Sequence, residues 1–100
     1  MALVYITCKN EQEAVKISTH LLNKRLIACS NMLPIRSMYW WSKKIENTRE
    51  FAILAKTREK NYNAIKKEVE KIHSYKIPCI LKISVKANKI YEQWVNREIK

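Results

Sequence analysis

The segment Leu26–Thr57, LIACSNMLPIRSMYWWSKKIENTREFAILAKT, determines the architecture predicted for this chain. β-branched, aromatic and aliphatic residues crowd both of its ends and polar residues lie between them, which predicts two long strands joined by a short turn. The polar residues assigned to the turn are Ser42, Lys43, Lys44, Asn47 and Thr48. The first strand contains Tyr39, Trp40 and Trp41 in succession, so its large rings point to both faces. Because a small subunit cannot cover both faces, we expect a second copy of the chain to do so.

The composition is that of one small globular domain spanning residues 1–100. With 47% hydrophobic and 29% charged residues, the chain carries enough apolar surface to fold. The net charge of +11 is spread along the chain rather than clustered, so we assign it to solvated surface and expect neither a nucleic acid nor a membrane as partner.

The cysteines and the hydropathy pattern favour an intracellular setting. The three cysteines form neither a CxxC pair nor an even disulfide set, which favours reduced thiols. No apolar run approaches the roughly 20 residues of a membrane span, and the N-terminus leads directly into a predicted strand. We therefore expect a cytoplasmic protein.

Further strands and helices are predicted on both sides of the hairpin. The apolar run Leu3–Thr7 predicts a strand, and Asn10, three residues before Glu13, predicts the start of a helix. Alternation over residues 79–85 predicts a fourth strand, and Asn88 is expected to cap a last helix. The apolar positions at helical spacing are Ala14, Ile17, Leu21 and Leu22 in the first helix and Tyr62, Ile65, Val69 and Ile72 in the second.

The order of these elements indicates the fold class. A β-α-β-β-α-β order followed by a terminal helix indicates an α+β, ferredoxin-like fold with an antiparallel four-stranded sheet. Right-handed crossovers place both long helices on one face of that sheet. Pro34 cannot donate to a sheet ladder, so the first strand of the hairpin should lie at an edge or contain a bulge.

The hairpin segment also resembles the signature of the divalent-cation tolerance family, CutA. The matching residues are Ala28-Cys29-Ser30-Asn31, Pro34-Ile35, Ser37, Tyr39-Trp40-Trp41, Lys44-Ile45-Glu46, Glu50 and Lys56-Thr57. The resemblance implies a homotrimer of this topology, similar to PII signal proteins, with sheets packed around a threefold axis. It also implies a non-enzymatic role in divalent metal tolerance or response, with copper or a similar divalent cation as the bound ion. Lys43 replaces the glycine of the family's Trp-x-Gly-Lys segment, which disfavours a turn that needs a positive φ.

Three residues are predicted metal ligands: Cys29, His73 and Cys79. Thiolates suit copper and zinc, and neutral imidazole is the commonest side-chain metal ligand. The alternatives are a buried structural thiol for Cys29 and a residue favoured by the helix dipole for His73. Cys8 is displaced by two positions from the cysteine of some family members, so no ligand role is assigned to it.

Around His73 the chain departs from the family's His-Pro-Tyr-Glu pattern. Ser74 and Lys76 replace its proline and glutamate, and Cys79 lies where the family usually has a glutamate. The loss of two carboxylates favours copper or zinc over magnesium or calcium.

A second group of residues could line a cleft between subunits. Its members are Arg36, Tyr39, Trp41, Lys44, Glu50 and Lys56. Aromatic platforms beside charges of both signs suit a small anion or a conjugated ligand. The alternative is an interfacial network of ion pairs that fixes strand register.

Several motifs that other function classes need are absent from the sequence. No nucleophile with an adjacent base, no glycine-rich phosphate loop and no HExxH or CxxC motif is found, so we expect neither an enzyme nor an organic cofactor. A PII-like regulatory scaffold that binds a small anionic ligand or a partner tail is the main alternative, by fold analogy. RNA-recognition domains share the element order but need glycine, which this chain lacks.

Overall fold

The computed structural model describes all 100 residues and contains four strands, three α-helices and a short 3₁₀ turn at Glu59–Asn61. In chain order the elements are β1 (Ala2–Cys8), α1 (Glu11–Asn23), β2 (Cys29–Trp41), β3 (Lys44–Thr57), α2 (Tyr62–Ile72), β4 (Ile80–Ser84) and α3 (Lys89–Glu98). The strands form one antiparallel sheet in the order β2-β3-β1-β4. The predicted α+β class and four-stranded antiparallel sheet are therefore confirmed. None of the helices is long and apolar enough to cross a membrane.

The core lies between α1, α2 and one face of the sheet. Side chains of β1 alternate between buried and half-buried, and Val4, Ile6 and Cys8 point towards the helices. The other members of the core are Ala14, Ile17, Leu21, Ile27, Ile53, Ala55, Ile65, Val69 and Ile80. Leu22, predicted to face the core, is exposed because Leu21 occupies the sheet-facing position and the next residue is rotated by about 100°.

The helix ends show which capping signals operate. Asn10 Oδ1 accepts from the Glu13 amide at 2.9 Å, as predicted for the start of α1. The carboxylate of Glu13 accepts from the amide of Lys9 at 3.0 Å. Asn88 holds the N-cap position of α3, but its side chain makes no capping hydrogen bond, so that prediction is wrong. Only its backbone carbonyl joins the helix, by accepting from the Glu92 amide.

The hairpin of β2 and β3 is longer and more regular than predicted. The strands pair without interruption from Cys29 opposite Lys56 to Trp41 opposite Lys44. Lys44, Asn47 and Thr48 therefore belong to β3 rather than to the turn, which is a correction to the predicted boundary. Pro34 pairs within edge strand β2 without a bulge, in one of the two placements predicted for it. The hairpin gives the subunit its elongated shape, with extents of 45 × 25 × 21 Å.

The hairpin turn consists of Ser42 and Lys43, and both have a positive φ, 50° and 64°. A two-residue loop of this kind is the type I′ turn, whose twist matches that of the flanking strands. Lys43 thus adopts the conformation that its side chain was expected to disfavour. The long ladder, rather than the turn residues, sets the strand register here.

Replacing Lys43 with glycine should therefore stabilise the protein. A non-glycine residue in the left-handed region costs about 1–2 kcal/mol, and the greater freedom of unfolded glycine offsets part of the gain. We expect the free energy of unfolding in urea to rise by about 0.5–1 kcal/mol. Lys44→Gly, in an extended strand, is the matched control and should lower it. A loss of stability in both variants would contradict the assigned turn.

Large apolar side chains remain exposed on both faces of the hairpin. On the face that carries α1 and α2, but beyond the helices, Met38, Trp40 and Ile45 are 67%, 72% and 58% exposed. We call these three residues the tip patch. The opposite face, here called the open face, leaves further apolar residues exposed: Leu33, Tyr39, Trp41, Leu81 and Ile83. Rings on both faces thus stay uncovered within one subunit, as the alternation in the sequence predicted.

Candidate functional site

Cys29 begins β2 on the open face. Its Sγ lies 3.8 Å from Lys56 Nζ. Burial raises the pKa of Tyr91 in α3, and a hydrogen bond with Cys29 adds to the shift. The sheet register aligns Cys29 in β2 with Ile83 in β4, three strands away. Cys79 precedes Ile83 by four residues, so Cys29 and Cys79 are separated by about 13 Å along the strands and about 14 Å across them. A single subunit therefore does not bring Cys29 together with Cys79.

His73 follows α2 and its side chain is fully buried. Nε2 lies 2.8 Å from the Thr7 carbonyl oxygen, and Nδ1 accepts from the Tyr75 amide at 3.0 Å. Because a carbonyl oxygen can only accept, the proton is on Nε2 and the ring is the neutral tautomer. A neutral ring gains little from the helix dipole, so the contacts of His73, rather than its charge, hold the end of α2 against β1.

Cys79 precedes β4 and faces Thr7. Burial raises the pKa of the Cys79 thiol, and a hydrogen bond with the Thr7 side chain opposes that shift. His73 and Cys79 thus approach the same residue, one through the Thr7 main chain and the other through its side chain. Two of the three predicted metal ligands therefore contact the same residue, Thr7.

A different set of potential ligands forms a cluster within the subunit. The ligand atoms of Cys8, Glu13 and His73 lie within 4.8 Å of one another. All three side chains are buried. Cys8 ends β1 on the core-facing side, Glu13 lies in the first turn of α1, and His73 caps α2. The structure thus brings together three element ends from distant parts of the chain.

Sequence reasoning missed two members of this cluster. Cys8 was given no ligand role, and Glu13 was treated only as a helix-capping residue. The available signal was local: Cys8 continues the core-facing alternation of Val4 and Ile6, and α1 starts just beyond it. That pattern places a thiol beside a helix N-terminus, but it does not predict that His73 lies next to Cys8 and Glu13.

The electrostatics of the cluster differ from residue to residue. Burial raises the pKa of the Cys8 thiol to about 12, and Glu13 adds to the shift. Burial would also raise the pKa of Glu13, but hydrogen bonds from Lys9 and Ser74 outweigh it and lower that pKa. At neutral pH the cluster therefore combines a protonated thiol, a carboxylate and a neutral imidazole. Sulfur, nitrogen and oxygen donors together suit zinc and copper better than magnesium or calcium.

The lowered pKa of Glu13 predicts a pH-dependent contribution to stability. Glu13→Gln should lower the free energy of unfolding at pH 7 by about 1–3 kcal/mol, because hydrogen bonds to a carboxylate are lost. A carboxyl group whose pKa is lower when folded stabilises the protein above its unfolded pKa of about 4.3, and this stability is lost as the pH falls through the folded pKa. The difference between wild type and variant should therefore shrink in urea titrations below about pH 4. Exposed Glu70→Gln is the control, and a difference that grows on acidification would contradict the assignment.

A cleft of about 860 Å³ lies between the hairpin and residues 74–79. Four of the six predicted cleft residues line it: Arg36, Tyr39, Trp41 and Glu50. Lys44 and Lys56 lie outside it. Lys44 is exposed at the hairpin end, and Lys56 approaches Cys29. The cleft therefore includes only part of the predicted group.

The charged residues of the predicted cleft group do not form ion pairs with one another within the subunit. Arg36 donates to Asn47 Oδ1 at 2.9 Å, across the β2–β3 ladder. Buried Glu50 accepts a hydrogen bond from the Tyr75 hydroxyl. Burial raises the pKa of Tyr75, and this hydrogen bond adds to the shift. Tyr75 consequently touches both the cleft, through its hydroxyl, and His73, through its amide.

Comparison with known proteins gives consistent matches over nearly the whole chain. The family described as CutA1 divalent ion tolerance protein matches residues 2–98. The divalent-cation tolerance protein CutA of Archaeoglobus fulgidus is 39% identical over 97 residues, which cover 96% of this chain and 95% of that protein. The protein of the same name from Thermotoga maritima is 44% identical over 85 residues, covering 85% and 84%.

Solved structures agree with these sequence matches. The structure from Archaeoglobus fulgidus, described as a periplasmic divalent cation tolerance protein CutA, superposes with a TM-score of 0.97 at 38% identity and covers 100% of both chains. CutA1 from Pyrococcus horikoshii gives a TM-score of 0.96 at 37% identity, covering 100% of this chain and 99% of that one.

Proposed function

Because the chain belongs to the CutA1 divalent ion tolerance protein family, we propose that it is a non-enzymatic homotrimer that binds copper or a similar divalent cation in metal tolerance or response. Its relatives are named as tolerance proteins rather than as enzymes. The observation that carries the proposal is the grouping of thiol, imidazole and carboxylate donors in a chain of this family.

The donor chemistry fits such an ion. Thiolate and imidazole are ligands for copper and zinc, whereas magnesium and calcium prefer sites built from oxygen alone. Of the ligands predicted from the sequence, His73 and Cys79 both contact Thr7, the first through its main chain and the second through its side chain. A site that also used Cys29 would need this residue from another subunit.

The exposed hairpin supports the trimer. The tip patch and the open face expose apolar side chains to solvent in a single subunit. An oligomer would bury these side chains between its subunits. Strand β2 is also a 13-residue sheet edge with unpaired backbone groups, which favours pairing with another chain. The strand order, with α1 and α2 on one face, supports the ferredoxin-like and PII-like arrangement.

A metal titration tests the proposal. The reduced, metal-free chain should bind Cu²⁺ or Zn²⁺ at least about a hundredfold more tightly than Mg²⁺, because sulfur and nitrogen ligands discriminate against hard cations. Competition with a chromophoric chelator measures these affinities. Equal and weak binding of all three ions would contradict a metal-handling role.

The cleft favours a second candidate function, a PII-like scaffold that binds a small ligand or a partner tail. Its volume of about 860 Å³ is suited to a small molecule, and Tyr39 and Trp41 offer flat surfaces for stacking. Arg36 and Lys76 are balanced there by Glu46 and Glu50, so charge alone does not select an anion.

A thermal-shift screen of nucleotides and organic anions tests this second function. Stabilisation by a cleft ligand should be lost in Trp41→Ala and retained in Lys44→Ala, because only the first residue lines the cleft. Stabilisation that persists in both variants would exclude the cleft as the binding site.

We also propose a cytoplasmic location, which rests on the reduced state expected for the three thiols. Cell fractionation tests it, and recovery in an oxidising compartment would contradict it.

A further inference from the structure

We propose that Cys8, Glu13 and His73 form a divalent-metal site inside each subunit, with the Cys8 thiolate as its defining ligand. The proposal rests on the metal-binding function and names the residues that perform it. Cys29, the cysteine matched to the family signature, is not required.

The distances are close to those that a metal ion needs. Bonds of about 2.0–2.3 Å in tetrahedral geometry place neighbouring ligand atoms about 3.4–3.8 Å apart. Here the ligand atoms already lie within 4.8 Å, and His73 Nδ1 is 4.0 Å from Glu13 Oε2. A contraction of at most about 1.4 Å would therefore bring all three ligand atoms to bonding distance of one ion.

The hydrogen bonds of His73 favour this role. A metal-bound histidine commonly donates its other N–H to a backbone carbonyl, which fixes the orientation of the ring. His73 has that arrangement, because Nε2–H donates to the Thr7 carbonyl. Nδ1 faces Glu13 and would exchange one hydrogen bond, from the Tyr75 amide, for the metal ion.

The charges balance when an ion is bound. A metal ion binds the thiolate form of cysteine, so the Cys8 thiol must release its proton on binding. One thiolate, one carboxylate and a neutral imidazole then neutralise a divalent cation. Such a neutral assembly is far less costly to bury than an isolated charge.

The ligand set also defines which ions enter. A buried thiolate and an imidazole favour Zn²⁺, Co²⁺ and copper over Mg²⁺ and Ca²⁺. The cluster supplies three protein ligands, whereas structural zinc sites usually use four. Binding should therefore be reversible, as a response to metal concentration requires.

Cobalt absorption tests the assignment, because a Co²⁺–thiolate bond gives a charge-transfer band in the near ultraviolet. The reduced, metal-free full chain should bind one Co²⁺ per subunit and develop this band. Cys8→Ala should abolish the band and weaken binding at least tenfold. Glu13→Gln should keep the band and also weaken binding. His20→Ala, which removes an imidazole outside the cluster, is the matched control and should behave as wild type. Cys29→Ala and Cys79→Ala show whether another thiol holds the ion.

The other possible results distinguish an error in the assigned site from an error in the proposed metal-binding function. A band that survives in Cys8→Ala overturns the site. A band lost instead in Cys29→Ala or Cys79→Ala places the ion elsewhere and leaves the proposed metal function intact. Absence of Co²⁺, Zn²⁺ and copper binding by the wild type contradicts both proposals. Glu13→Gln preserves side-chain size, so unchanged affinity in that variant overturns the site even where Cys8→Ala fails to fold.

Discussion

Replacing Trp40 with alanine should convert the proposed trimer to a monomer at micromolar concentration. Trp40 is the most exposed residue of the tip patch and lies opposite Ile45 in the ladder, so both would be covered by the neighbouring subunit. Truncation of a buried tryptophan costs about 3–5 kcal/mol, and a symmetric trimer loses this amount three times. Sedimentation velocity measures the change directly.

The control for Trp40→Ala is a substitution elsewhere on the surface. Val15 in α1 is also apolar and is 46% exposed, but it lies outside the hairpin. Val15→Ala should leave the trimer intact. A trimer that is equally stable in wild type, Trp40→Ala and Val15→Ala would show that the tip patch is not an interface.

Replacing His73 with alanine should destabilise the metal-free subunit by about 3–5 kcal/mol. The substitution leaves the Thr7 carbonyl and the Tyr75 amide without their partners and opens a cavity where the fully buried ring had been. Each lost buried hydrogen bond costs about 1–3 kcal/mol, and the cavity adds to this. Urea unfolding in the presence of a chelator measures the effect without any contribution from bound metal.

His20 provides the matched control for this prediction. Its ring is partly exposed and hydrogen-bonds Glu68, which links α1 to α2 at the surface. His20→Ala should cost less than His73→Ala, because this ring is only partly buried and makes a single hydrogen bond. An equal decrease in the free energy of unfolding in His73→Ala and His20→Ala would contradict the stabilising role assigned to the buried His73 ring.

The parts of the fold that follow local patterns could be predicted from the sequence. Alternation of side chains predicted the strands, and Asn10 predicted the start of α1, because both depend on residues a few positions apart. The succession Tyr39, Trp40 and Trp41 predicted exposed rings on both faces of the hairpin. These predictions needed only strand periodicity and the small size of the chain.

The hairpin turn could not be located from local preference. The ladder of β2 and β3 extends through Lys44, Asn47 and Thr48, which are polar residues in a strand. A long ladder stabilises the register enough to hold Ser42 and Lys43 at positive φ, and this competition is not visible in a short window of sequence.

The candidate site was also only partly predictable. His73 was selected correctly as a residue of interest, but its contact with Thr7 spans 66 positions in the chain, and the contact between Glu13 and Ser74 spans 61. Packing of α1 and α2 on the sheet creates these contacts. The shift of Lys44 into the strand likewise removed it from the cleft, because the position of the turn determines which side chains face the segment 74–79.

Native mass spectrometry of the reduced protein, before and after addition of copper or zinc, tests the proposed trimer and its metal binding in one experiment. We expect a species of three chains that gains up to three metal ions, one for each cluster of Cys8, Glu13 and His73. A single-chain species, or a trimer that gains no metal at any added concentration, would contradict it.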